Sequence, residues 1–190
     1  MLIESTSLTL KDRSTAPADP NRRKVVFKSS TVGELPANSI AVPARGTAGD
    51  PTPGGGTGGG AVFQVYNSNG SGEIATVSLP ASGWSALDDS QTPRGYKYKS
   101  AVSTDAVTRV LIRGNLLRVR GGRTNWTYTL NEPSQGRMAV RLTMGNAFRW
   151  CADTPAKTSG NPPSTASNDR IDKFAGARNT PAPAVCPALP

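Results

Sequence analysis

Apolar residues in this chain recur at every second position in short runs, and almost nowhere at the three-to-four spacing of a helix. Pro or Gly interrupts almost every window long enough to hold three helical turns. The β-rich runs are Ser7–Lys11, Lys24–Lys28, Ser39–Val42, Ala61–Tyr66, Glu73–Leu79, Gly95–Lys99, Thr108–Ile112, Leu116–Arg120, Asn125–Leu130, Met138–Met144 and Phe148–Cys151. In Met138–Met144, Met138, Val140, Leu142 and Met144 fall on one side and Ala139, Arg141 and Thr143 on the other, which predicts a strand with one buried face.

Three pairs of runs read as hairpins because compact Gly/Asn turns join them: Phe63–Tyr66 to Ile74–Val77, Val110–Ile112 to Leu116–Val119, and Ala139–Leu142 to Phe148–Trp150. A sheet buried on one face needs a second to cover it. The pattern therefore predicts an all-β fold, an antiparallel two-sheet sandwich of the jelly-roll kind. It divides into an N-terminal strand and linker (1–20), a sandwich core (21–151) and a long Pro-rich C-terminal tail (152–190). Pro43–Gly60 and Ala152–Pro190 are Gly- or Pro-rich and offer few side chains to pack, so composition marks both as flexible.

Composition narrows the chemistry. Of 190 residues, 20 are Gly and 16 Pro, and none is His. Without His there is no Ser-His-Asp or Cys-His catalysis, no imidazole metal ligand and no His pH switch. Cys151 and Cys186, 35 positions apart, lie in a polar, Pro-rich segment without a CxxC motif, and read as one disulfide. That implies an oxidising compartment, extracellular or cell-surface, with a signal peptide removed and Met1 standing in its place. No run approaches the eighteen apolar residues of a membrane helix. The net charge of +9 favours anionic partners, acidic polysaccharide among them.

Arg109, Arg113, Arg118, Arg120 and Arg123 lie along one predicted hairpin, with Lys97 and Lys99 just upstream. Such a stripe is either a polyanion site built from Arg forks or a solvated face whose charges block edge aggregation. Nucleic acid asks for aromatics between the cations. Tyr96 and Tyr98 alternate with Lys97 and Lys99 and so take the opposite face, leaving no specific nucleic-acid motif. The three Trp and four Tyr residues read as core more readily than as a sugar platform. Asp88-Asp89 reads as a solvated turn rather than a catalytic pair or calcium site. The Gly54–Gly60 run lacks the Lys-Ser/Thr of a phosphate loop and leads into a strand. The hydroxyls of Ser164, Thr165 and Ser167 have no activating base, and Asn69-Gly70-Ser71 and Asn125-Trp126-Thr127 match a glycosylation pattern too common to carry weight. No cofactor is implied. Leu2, Leu8 and Leu10 share one face of a predicted strand that either pairs within its own domain or crosses to a neighbouring copy.

Several segments, in order, resemble a family of secreted bacterial proteins of unknown function found in deltaproteobacterial and environmental sequences. They are Leu10-Lys11-Asp12, Asn21–Val25, Phe27–Ser30, Pro43 to Thr52, Leu79–Trp84, Gly95–Lys99, Glu132–Gly136 with Val140–Leu142, and Trp150-Cys151 with Ala182–Pro187. The resemblance implies an exported domain with a terminal disulfide and brings no catalytic motif. Some relatives carry an extra Cys pair near the basic hairpin, which this chain lacks. The leading functional expectation is a non-catalytic secreted structural protein that assembles with copies of itself on a surface, in a matrix or in a filament. The alternative is a binding module for acidic polysaccharide or another polyanion.

Overall fold

The alternating runs fold as strands, and their apolar faces meet. The structure is a computed structural model and describes residues 1–13, 18–30, 40–69 and 72–190. Among these residues the strands are β1 (Ser7–Lys11), β2 (Lys24–Ser30), β3 (Ala61–Asn67), β4 (Ile74–Leu79), β5 (Trp84–Ala86), β6 (Gly95–Lys99), β7 (Val107–Arg113), β8 (Leu116–Gly122), β9 (Arg137–Met144), β10 (Phe148–Pro155), β11 (Asp169–Arg170) and β12 (Lys173–Ala175). They form an eight-stranded sheet in the order β11-β12-β1-β2-β8-β7-β6-β5 and a four-stranded sheet in the order β10-β9-β3-β4, both antiparallel. The result is a jelly-roll-like sandwich in which the chain changes sheet after β2, β4, β8 and β10. The three expected hairpins are β3–β4, β7–β8 and β9–β10.

One core lies between the sheets. Leu8, Leu10, Val25, Phe27, Val110, Ile112, Leu117 and Val119 come from the large sheet, and Phe63, Val65, Met138, Val140, Leu142, Met144 and Trp150 from the small one. Each such side chain contributes roughly 1.5–3 kcal/mol on burial.

Two expected strands are absent. Ser39 lies outside the described residues, and Ile40–Val42 has no strand pairing. Asn125–Leu130 buries Trp126, Tyr128 and Leu130 alternately, as a strand would, yet it joins neither sheet. Side chains take the place of a partner strand. Leu130 N–H donates to Asp12 Oδ2 at 3.2 Å and Thr129 N–H to Glu73 Oε1 at 2.6 Å, while the Trp126 carbonyl accepts from Arg23 Nη1 at 3.0 Å. Asp12 is fully buried and ion-paired to Arg23 Nε at 2.7 Å. Burial pushes the Glu73 carboxyl above its ordinary value, against the pull of its bond from Thr129.

The N-terminus ties both sheets together. Ile3 N–H donates to the Cys151 carbonyl at 2.9 Å and Cys151 N–H to the Met1 carbonyl at 3.0 Å, a parallel bridge on the edge of β10. The chain then bends at Thr6 and enters the large sheet as β1, paired with β2 on one side and β12 on the other. The bend resets the alternation, so the buried positions are Ile3, Ser5, Leu8, Leu10 and Asp12. Leu2 therefore does not share a buried face with Leu8 and Leu10; Ile3 takes that place.

The segment expected as a tail is part of the sandwich. β12 lies against β1, its Phe174 fully buried, and β11 holds Asp169, whose carboxylate accepts from Ser134 Oγ, Gln135 N–H and Gly136 N–H at 2.6–2.7 Å. Cys151 and Cys186 are bonded, with Cα atoms 5.4 Å apart. Beyond the bond, the Pro187 carbonyl accepts from Tyr66 Oη and Arg141 Nη2, both at 2.7 Å, and the Arg141 guanidinium stands 5.8 Å from the Tyr66 ring centroid. The chain end thus crosses the outer side of the small sheet. This corrects the expectation of one buried face on β9, where Arg141 and Ala139 are buried as well as Met138 and Val140.

Two outcomes follow. Removing residues 1–11 empties the sites of Ile3, Leu8 and Leu10, at roughly 2–5 kcal/mol each, against a total stability of about 5–15 kcal/mol. We expect the truncated chain to show no cooperative melting transition; a folded monomer would overturn the account of β1 as an integral inner strand. Alkylation without reductant should modify no thiol, as read by intact mass, and Cys151→Ser should cost about 4 kcal/mol on the chain-entropy model, with loss of amide protection concentrated after Thr180.

Candidate functional site

Alternation that sends apolar residues inward sends the opposite set outward, and on the large sheet that set is cationic. β2 turns Val25 and Phe27 in and Lys24 and Lys28 out; β6 turns Tyr96 and Tyr98 in and Lys97 and Lys99 out. β7 and β8 bury Val110, Ile112, Leu117 and Val119 and present Arg109, Leu111, Arg118 and Arg120. Register then places like charges directly opposite one another: Lys28 against Arg118, Arg120 against Arg109, Arg109 against Lys99, and Lys11 between Lys24 and Lys173. Directly opposed like charges destabilise a sheet.

Among the described residues the ion pairs are Arg23–Asp12, Arg45–Asp89, Arg94–Asp88 and Arg137–Asp153, none involving these cations. β6, β7 and β8 enclose an open depression of about 370 Å³ lined by Leu111 and by Lys97, Lys99, Arg109, Arg118 and Arg120. Arg118 Nε is shielded from solvent there and has no hydrogen-bond partner among the described residues. The arrangement offers fixed positive charge and forked donors to an anion.

Of the five arginines expected on the hairpin, three converge. Arg113 stands at the hairpin tip beside Leu87 and Arg94. Arg123 lies past the end of β8 in the left-handed region, φ 64°, its N–H donating to the Arg23 carbonyl at 2.9 Å. Sequence reasoning missed Lys24 and Lys28 as partners of the hairpin. Their alternation in Lys24–Lys28 was a legible signal of an exposed face, but the pairing of β2 with β8 joins segments about ninety residues apart.

The other candidates have structural explanations. Trp84, Trp126, Trp150, Tyr66, Tyr96, Tyr98 and Tyr128 are all buried, so no aromatic platform accompanies the cations. Asp88 accepts from Ser90 and from Arg94 N–H and Nε, which holds its carboxyl well below the usual range; Asp89 is fully exposed. The Gly-rich loop leads into β3 and is organised by buried Asp50, which accepts from Gly46 N–H, Thr52 N–H and Thr52 Oγ1 at 2.8–2.9 Å. Gly145 has φ 51°, and a Cβ there would overlap the Ala48 carbonyl. The Ser159 and Ser167 hydroxyls bond each other. Asn125 and Thr127 are exposed, whereas Gly70 and Ser71 fall outside the described residues. Among the described residues no group of three or more Cys, Asp or Glu stands where it could hold a metal ion, and no helix is long and apolar enough to cross a membrane. Comparison with protein-family models, with curated proteins and with solved structures finds no match for the chain.

The inward side of the same strands generates a pH prediction. Tyr96 is buried with its hydroxyl donating to the Pro43 carbonyl at 3.0 Å, and burial, aided by the Asp50 charge, pushes it from 10.0 up to about 12. Because the folded value is the higher, the unfolded chain ionises first, and this contribution to stability is intact below pH 10 and lost between pH 10 and 12. Tyr66 and Tyr98 are raised in the same direction. Melting temperature should fall across that window, with tyrosinate absorbance rising together with unfolding; Tyr96→Phe should cost about 1 kcal/mol at neutral pH and flatten the fall.

Proposed function

We propose that the protein is an exported, non-catalytic module that binds acidic polysaccharide through the outer face of the large sheet. The observation that carries this reading is the set of like charges placed directly opposite each other on β2, β6, β7 and β8, without an ion-pair partner among the described residues. A face that served only solubility would intersperse both signs, and one that served only to block edge pairing would concentrate charge on β5, β11 or β4. Here the charge lies on inner strands. The disulfide supports an oxidising compartment, where acidic polysaccharides are abundant polyanions. Nucleic acid is disfavoured because the face presents no stacking side chain. Self-assembly, the leading expectation from sequence, has less to draw on, since β1 uses both of its edges within its own chain.

Arg109→Gln/Arg118→Gln/Arg120→Gln tests this. Exposed charge contacts are worth roughly 0.5–1 kcal/mol each, so retention on immobilised alginate or heparin should weaken on the order of tenfold to a hundredfold at low salt and become less salt-sensitive. Removing opposed like charges should leave the melting temperature unchanged or raise it. Unaltered retention would return these arginines to the solvated-face reading.

A further inference from the structure

A second cationic basin lies at the other end of the same face. β11 and β12 place Arg170 opposite Lys173, and β12 places Lys173 opposite Lys11; with Arg13 these line an open hollow of about 340 Å³. Asp172 lies in the same hollow and Lys173 Nζ donates to the Ser167 carbonyl at 2.6 Å; four cations against one carboxylate leave the basin a net positive charge. Asp169 and Phe174, the inward neighbours, are buried, which anchors the edge strand β11 that carries Arg170 and the short inner strand β12 that carries Lys173.

The two basins are not isolated. Lys24 pairs with Lys11 on one side and with Gly122 on the other, and Gly122 stands two residues from Arg120. From β1 to β7 is three strand spacings, and Arg120 and Arg118 are displaced two and four residues along the strand from the Lys11–Lys24 row. With about 4.8 Å between strands and about 3.3 Å per residue, the basins lie roughly 15–20 Å apart. Lys173, Lys11 and Lys24 stand one strand spacing apart, on the scale of one sugar in a linear uronic acid chain, and Arg120 follows one strand across and two residues along.

We propose, building on the reading above, that the basin of Lys11, Arg13, Arg170 and Lys173 is a second anion site, and that one linear acidic polysaccharide lies obliquely across β12, β1, β2, β8 and β7, engaging both basins at once with Lys24 between them. The chain's carboxylates then meet a run of cations set by sheet geometry, and occupation of one basin raises the effective concentration at the other.

Chain length is the readout. Calorimetry would compare oligoguluronates shorter than the separation of the basins with ones about twice that separation. The full chain should bind the long oligomer tighter by on the order of a hundredfold. Lys11→Gln/Arg170→Gln should bring the long oligomer back toward the affinity of the short one while leaving the short one bound at the hairpin basin. Arg170→Gln alone, a change at an exposed edge position, should reproduce part of the loss, with an unchanged melting temperature confirming the fold. The two-basin proposal is overturned if length gives no gain, or if the gain survives the double substitution. Should neither oligomer bind, or the short one bind equally to the triple Arg variant, the polysaccharide reading itself fails. Length-dependent binding to single-stranded DNA or to phosphatidylglycerol vesicles, without binding to oligoguluronate, would also overturn the proposal and assign the face to a different polyanion.

Discussion

A buried backbone N–H without an acceptor costs as much as a lost hydrogen bond, and this chain, with 36 Gly and Pro residues in 190, buries much backbone that no strand pairs. Three aspartates meet that demand. Asp12 serves Leu130, Asp50 serves Gly46 and Thr52, and Asp169 serves Gln135 and Gly136. Each carboxylate is itself nearly or wholly buried and is stabilised by the donors it gathers. Through Asp12 and Arg23 the end of β1 is fastened to the unpaired 125–130 segment; through Asp169 the edge strands are fastened to the turn before β9. The long β10 to β12 connection and the Gly-rich loop thus hold a shape that their composition alone would not give.

This division of labour uses up acidic groups. Of the 13 Asp and Glu in the chain, Asp12, Asp50 and Asp169 are in the interior, Asp88 and Asp153 are tied to Arg94 and Arg137, and Glu73 caps Thr129. The basic residues have no such interior duty except Arg23 and Arg141. The surplus charge therefore belongs to the surface, and register places it on the outer side of the large sheet, where opposed cations cost stability. A feature that destabilises the sheet it sits on needs a gain elsewhere, and an anion on that face would supply it.

How much of this was legible in the sequence depends on distance along the chain. Alternation gave strand, inward set and outward set correctly in Gly95–Lys99, and strand and core-facing set in Met138–Met144, because period-two patterning is a local property; the cover that the chain end lays over Ala139 and Arg141 is not. Hairpin turns gave β7 with β8 and β9 with β10 for the same reason. What local patterning cannot carry is which strand lies beside which. Hence β12 against β1 was read as tail, since Lys173–Ala175 is three residues long and meets its partner only after more than 160 residues. Asn125–Leu130 shows the converse failure: its alternation reports burial truthfully, but the acceptors for its N–H groups come from Asp12 and Glu73 rather than from a ladder. The bend at Thr6 misled in a third way, by shifting the phase so that Ile3 replaced Leu2.

The same sheet carries both the core and the candidate site, and that links their tolerances. Tyr98 and Val110 point inward between Lys97, Lys99 and Arg109, so each cation is held by a neighbour whose rotamer is fixed by packing. A flat face of this kind differs from a loop-built pocket: charge spacing is set by strand separation and by residue rise, neither of which a ligand can adjust. On the proposed reading, recognition would follow from the match between two repeats, the sheet's and the polymer's, rather than from enclosure. A small anion would meet only one basin and gain little, whereas a linear polyanion would meet successive cations without reorganising the protein. Selectivity on such a surface therefore grows with the length of the ligand, while the chemistry of each contact stays the same.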